Sequence, residues 1–278
     1  MAEKSKNTGE MSFLEHLEEL RWHIVRSAIA IVAFAIAAFI FSRFIFDQIL
    51  LAPKNSEFFS NRMLCRLAEI LHTPALCINS KTFEVINIRM AGQFSANIMI
   101  SLYTGLIIAF PFIILEMWKF ISPALYVNER KHARGSVVAI SILFFIGALF
   151  GYYVIVPLSV HFLGGWQVSE QVISRIDLNS YVSTVTFIPF STGIIFELPI
   201  LMIFLTKVGI ITPSFMIQYR KHAIIVLMIV AAIITPPDVF SMVLVVLPLV
   251  LLYEVSILLT RRTAKKYRQT IAEEDAAK

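Results

Sequence analysis

This sequence is poor in charge. Asp, Glu, Lys and Arg together make up 15% of its 278 residues, against roughly 25% in an ordinary soluble domain. So few charges cannot clothe a soluble domain of this length in a polar exterior. Disorder is excluded as well, because disordered chains are rich in charge and poor in apolar residues. Chemical signatures are missing too. The sequence contains no G-x-x-x-x-G-K-[ST] phosphate loop, no H-E-x-x-H metal motif and no G-x-S-x-G nucleophile elbow. The six histidines, His16, His23, His72, His132, His161 and His222, are scattered, and none forms a plausible ligand set with the two cysteines. No catalytic residue, metal or cofactor is therefore expected, and the chain reads as a non-enzyme. The two halves show no convincing repeat, which argues against an inverted-repeat transporter.

What is plentiful is apolar surface, at 58% of residues. The chain reads as an all-α polytopic membrane protein, one integral membrane domain over 1–278. Six apolar runs are candidate spans: Ile24–Phe46, Met90–Trp118, Ser136–Pro157, Val182–Leu205, Ala223–Thr235 and Val239–Leu259. A crossing needs about 20 residues, and backbone in lipid must satisfy its own hydrogen bonds, so each span is expected to be a helix. The fifth run, bounded by His222 and Thr235, covers only ~21 Å at 1.5 Å per residue. The first run follows acidic residues and is too long for a signal-peptide core, so it is expected to remain as a spanning helix.

Six spans put both termini on one side. The greater part of the Lys and Arg residues, including Arg21, Arg26, Lys119, Arg130, Lys131, Lys207, Arg220, Arg261 and Arg262, falls on that side. By the positive-inside rule both termini are cytoplasmic. The net charge of +5 reflects that bias and does not point to nucleic acid. A basic cytoplasmic tail is expected at about 260–278.

The first outer loop, about 47–88, is long. Phe58, Met63, Leu64, Leu67, Ile70 and Leu71 favour one helical face there, which suggests a surface helix. The loop also holds Cys65 and Cys77, the only cysteines. On the oxidising side a disulfide between them is permitted, worth on the order of 3 kcal/mol in the chain-entropy model. Two free thiols are the alternative.

Three places stand out against the apolar background. Glu197 lies within the fourth span, where a carboxylate is costly and reads by default as functional. Pro199 beside it should bend the helix, and a structural hydrogen bond to a neighbouring helix is the plainer reading. Ser12 and Glu15 fit a capping box, and Leu14, Leu17, Leu20 and Ile24 give one apolar face, so an amphipathic helix is expected over about 12–22. Its carboxylates suit charge-assisted recognition of arginine, unless they are simply solvated. Glu116, Trp118, Phe120 and Glu129 bracket a loop that mixes acids with aromatics. Gly147 and Gly151 form one G-x-x-x-G in the third span, a mark either of close helix packing or of chance.

These motifs together resemble the TatC subunits of twin-arginine protein translocases. The resemblance rests on His16-Leu17-x-Glu19-Leu20-Arg21, Pro53, and Trp118-x-Phe120-Ile121-x-Pro123-Ala124-Leu125-Tyr126-x-x-Glu129-Arg130. Phe196-Glu197-x-Pro199 and Thr235-Pro236-Pro237-Asp238-Val239-Phe240-Ser241 complete it. It covers nearly the whole chain.

The resemblance implies a glove-like bundle with short fifth and sixth helices in the bacterial cytoplasmic (inner) membrane. It also implies an oligomer that binds twin-arginine signal peptides of folded cargo and works with TatA/TatB-type single-span subunits on the proton-motive force. Glu19 and Glu129 would receive the two arginines, with Leu20, Arg21 and Phe120 shaping the site. Glu197 would face the hydrated concavity near those partners. Pro53, Pro123, Pro199 and Asp238 belong to the structural motifs. Two positions depart from the family pattern: His23 stands where relatives often carry Arg or Lys, and Glu116 stands where Gln is frequent. A different reading makes the chain a proton- or cation-coupled secondary transporter of a small solute, with Glu197 and Glu254 as ion sites.

Overall fold

The computed structural model describes residues 13–55, 57–70, 72, 84–121, 133–165, 169, 175–235 and 239–276. Pro123, Glu129, Asp238 and Cys77, all named above, lie outside the described residues.

Helix α1 (Phe13–Ile40) runs without a break for 28 residues. The sequence places an amphipathic helix over about 12–22 just ahead of a first span starting near Ile24. In the structure the two run as one helix, because neither Gly nor Pro lies between Ser12 and Phe46 to end it. After a short turn, Ser42–Phe44, the chain winds as a π-helix over Ile45–Leu50 and a 3-10 turn over Ala52–Lys54. The carbonyls at the end of the wide π-helical stretch have found side-chain donors. The Tyr152 hydroxyl donates to Ile49 O at 2.6 Å and the Tyr181 hydroxyl to Leu50 O at 2.9 Å, so these carbonyls are not left orphaned at a helix end. Among its described residues, the loop expected over 47–88 is mostly helical backbone. Helix α2 (Phe59–Ile70) is its surface helix, and Asn61 Nδ2 ties that helix to Pro53 O at 3.3 Å and Asn55 O at 2.8 Å. Of the residues expected on one helical face, Phe58, just before the helix, stacks on Tyr153, and Met63 and Ile70 are exposed.

Strand β1 (Glu84–Ile86) leads into α3 (Gly92–Ile121), a helix of 30 residues. Helix α4 (Ala133–Phe150) passes through a π-helical turn, Gly151–Ile155, into α5 (Val156–Gly165). The third span therefore passes Pro157, where the sequence reading ended it. The proline falls on the second residue of α5, just after the wide turn. Strand β2 (Arg175–Asp177) pairs in parallel with β1, with Glu84 opposite Arg175. This two-stranded sheet is the one departure from an all-helical fold among the described residues.

Helix α6 (Leu178–Phe196) is interrupted at Glu197 and resumes as α7 (Leu198–Lys207). A short helix, α8 (Pro213–Gln218), is N-capped by Thr212, whose hydroxyl accepts from Phe215 N at 3.2 Å. Helix α9 (Arg220–Ile234) has 15 residues, ~22 Å at 1.5 Å per residue, half the length of α3. Helix α10 (Val239–Ala276) has 38 residues, so the sixth helix is not short as the resemblance implies, because no Gly and no Pro after Pro248 ends it. The tail expected from about residue 260 continues this helix as far as Ala276.

Four helical segments are long and apolar enough to cross a membrane: Leu17–Ile40, Gly92–Ile121, Gly135–Gly165 and Leu178–Lys207. The short α9 and the apolar part of α10 complete six helices. The core lies where α3, α5, α6 and α10 meet, around Ile100, Val156, Tyr181, Val182, Ile188, Val245 and Leu249. Large apolar residues such as Ile36, Ile40, Ile142, Ile146, Leu247 and Leu251 face outward. A surface of that kind matches hydrocarbon rather than water.

Gly147 and Gly151 settle the packing question raised by their spacing. A Cβ at Gly147 would sit 2.6 Å from Phe196 Cγ, and one at Gly151 would sit 2.8 Å from Pro189 Cα and overlap Thr192 Oγ1. The pair lets α4 lie directly on α6.

The bundle has two ends. At the first end α1 begins and α3 and α7 finish. At the second end α1 finishes, α3 and α6 begin, and the β1–β2 sheet sits.

Candidate functional site

At the first end, α1 and α3 run antiparallel, which brings residues 93 positions apart into contact. Glu116 is the centre of a polar knot and is 2% exposed. Its Oε2 lies 2.7 Å from His23 Nδ1 and 3.7 Å from Arg26 Nη1. Lys119 Nζ donates to Oε1 at 2.6 Å. A buried carboxylate survives this way, with each oxygen engaged by a cation or an imidazole. Arg26 and Lys119 keep half their surface in solvent, so charge enters the knot from outside.

One helical turn further out lie the residues proposed from sequence. Glu19 is four residues before His23, and Phe120 is four residues after Glu116, so each shares a helix face with its partner in the knot. His23 meets the Phe120 ring edge-on, with ring centroids 6.1 Å apart. Glu19 and Leu20 are half-buried and Arg21 is exposed. Arg21 pairs loosely with Glu18 at 3.8 Å and lies 5.5 Å from the Trp22 ring. Glu19 has no ion pair among the described residues.

The fold therefore gathers Glu19, Leu20 and Phe120 at one end, and turns Arg21 to solvent. It also makes one pair of His23 and Glu116, which the sequence marked only as separate departures. Their joint deviation was the available signal, because an acid at one position and an imidazole at the other are complementary.

Glu197 lies elsewhere, at the break between α6 and α7. Its backbone N–H donates to Ile194 O at 3.1 Å, and its carbonyl accepts from Ile200 N and Leu201 N at 3.1 and 3.0 Å. Pro199 stands in the first turn of the resumed helix, where a proline is tolerated. The side chain is half-buried, and Oε1 has no hydrogen-bond partner among the described residues. The carboxylate does make a backbone hydrogen bond with Phe144 of the neighbouring α4, the structural bond of the plainer reading, and that bond leaves Oε1 unengaged. Glu254, by contrast, is paired: Arg220 Nη2 donates to its Oε2 at 2.9 Å and Arg220 Nε lies 2.9 Å from Oε1. Cys65 is disulfide-bonded, and no described cysteine is free. No group of three His, Cys, Asp or Glu suited to a metal occurs among the described residues.

Six apolar helices, an acid at a helix break within a span and a polar knot with a half-buried acid beside it define a polytopic helical membrane protein. The chain belongs to the TatC family of twin-arginine translocase subunits, described as Sec-independent protein translocase protein (TatC), whose model matches residues 15–248. The TatC of Blattabacterium sp. subsp. Periplaneta americana is 38% identical over 93% of this chain and 98% of its own length. That of Aquifex aeolicus is 34% identical, also over 93% and 98%. A crystal structure of the twin arginine translocase receptor TatC superposes with a TM-score of 0.70 at 34% identity, covering 90% of this chain and 99% of that one. None of these comparisons supports a solute carrier.

Proposed function

We propose that the first end of the bundle faces the cytoplasm and receives the paired arginines of a twin-arginine signal peptide. Glu19 and Glu129 are the acceptors, and Leu20, Arg21 and Phe120 shape the floor and rim. The observation that carries this reading is the contrast between two acids one layer apart. Glu116 is saturated by its own chain, whereas Glu19 has no ion pair among the described residues and lies on the same face one turn out. A guanidinium arriving from solution finds an open carboxylate at Glu19 and none at Glu116.

Both termini then lie in the cytoplasm, consistent with the basic residues at the first end, and the bundle resides in the bacterial inner membrane. Glu197 forms a polar point at the helix break, where TatA/TatB-type single-span partners and the apolar part of the signal peptide dock. The protein acts in an oligomeric assembly driven by the proton-motive force, without nucleotide or nucleic acid.

The test is site-specific crosslinking of a twin-arginine peptide to the full chain in membranes, against a twin-lysine control. Truncating one member of a desolvated charge pair removes 2–5 kcal/mol. Glu129→Ala should therefore lose most crosslinking, and Glu19→Ala a smaller part. Equal crosslinking of wild type and both variants overturns the site.

A further inference from the structure

At the second end, an open cleft of about 580 Å³ with mixed polar and apolar lining lies between the close of α1, the turn after it and the start of α3. Its lining includes Arg43, Lys54, Asn87, Gln93 and Asn97, together with the carboxylate of Asp47. Its level is fixed by the spans themselves. The first span ends at Ile40, the second begins at Gly92 and the fourth begins at Leu178. Arg43 is three residues beyond the first of these, Gln93 is one residue inside the second, and Leu178 itself lines the cavity. The cavity therefore sits where helices leave hydrocarbon for headgroups.

Arg43 makes no ion pair and no hydrogen bond among the described residues. A guanidinium held at the hydrocarbon edge needs an anion or water to offset its desolvation. Arg43 also borders a second, smaller cleft on the lipid side, which it shares with Asp47, Ile40, Phe41 and Phe44. Ile40, Phe41 and Phe44 are each more than half exposed. One side of Arg43 thus faces a pocket rich in amide and cationic donors, and the other faces an apolar surface suited to acyl chains.

We infer that this cavity binds the phosphate of a phospholipid headgroup from the leaflet at the second end. The phosphodiester lies on Arg43 with the amide donors around it, and Asp47 accepts from the hydroxyl or ammonium of the headgroup. The acyl chains lie along Ile40, Phe41 and Phe44. A guanidinium offers the planar donor fork that suits a phosphate. The inference is independent of the proposed signal-peptide site and of which end is cytoplasmic.

The test is native mass spectrometry of the full chain, stripped of lipid in detergent. Four probes are added separately: phosphatidylglycerol, phosphatidylethanolamine, diacylglycerol with the same acyl chains, and inorganic phosphate. One phospholipid per chain should be retained, and diacylglycerol should not. Arg43→Gln should weaken retention about tenfold, the scale of one hydrogen-bonded charge, while Lys207→Gln at the opposite end leaves it unchanged. Should Arg43→Gln fail to fold, Gln93→Ala reads the same cavity from α3 and should also weaken retention. Equal retention of diacylglycerol, or undiminished phospholipid binding by the folded variants, overturns the inference. Phosphate binding as tightly as phospholipid overturns the lipid as its source.

Discussion

His23 and Glu116 are joined across 93 residues by a 2.7 Å contact between Nδ1 and Oε2. This contact fastens the start of α1 to the end of α3. It also sets the distance between the outward-lying Glu19 and Phe120, which ride one turn beyond it on the same two helices. The knot is thus part of the scaffold of the proposed peptide site without being one of its acceptors.

Removing the acid should loosen that end. Glu116→Ala strands an imidazole and two cations that now share one carboxylate. The loss should be about 1–3 kcal/mol, below that of a fully buried pair because Arg26 and Lys119 remain hydrated. Thermal unfolding in detergent should show a lowered midpoint, with a smaller drop for His23→Ala. An unchanged midpoint for Glu116→Ala contradicts this account.

The contact between α4 and α6 depends on the absence of side chains. Gly151→Val places methyl groups against Pro189 and Thr192, where backbone must move. Overpacking of that kind costs roughly 1–3 kcal/mol. Gly135 has open space around its Cβ position, so Gly135→Ala should be neutral or mildly stabilising by helix propensity. Comparison of the two midpoints checks the assignment.

Glu197 contributes a poorly satisfied carboxylate to the fold. Glu197→Leu removes a buried oxygen that lacks a partner along with one bond to the Phe144 backbone, two effects of opposite sign, so stability should change little. Export of a folded twin-arginine reporter should nevertheless fall sharply, and Glu197→Gln should lie between. A variant that unfolds and loses export together would mark the residue as structural.

The Arg220–Glu254 pair fastens α9 to α10 but is nearly half exposed at both partners. Arg220→Ala should therefore cost only about 0.2–1 kcal/mol, read as a small midpoint shift. A large loss would show that the short fifth helix depends on it.

Cys65 should resist alkylation in unreduced protein and react after reduction. Intact mass with and without reductant reads this directly.

Much of the architecture is legible in the sequence because lipid imposes a simple rule. Long apolar runs become helices, and their ends fall close to where the runs end. The short fifth helix follows from His222 and Thr235, and the break at Glu197 from Pro199. The β1–β2 pair is not legible: three residues on each side, 91 positions apart, leave no periodicity to read. The continuity of α4 into α5 past Pro157 is not legible either, since it depends on a π-helical turn that no residue pattern announces.

By itself, the sequence determined that this is a six-helix membrane protein of the TatC family, because composition and run length decide solvent and motifs decide lineage. Only the tertiary structure decided which acids are spent on the fold and which stand open. Glu116 and Glu19 are both glutamates at the edge of apolar helices. What separates them is helix-to-helix packing, which buries the first among His23, Arg26 and Lys119 and leaves the second one turn beyond their reach.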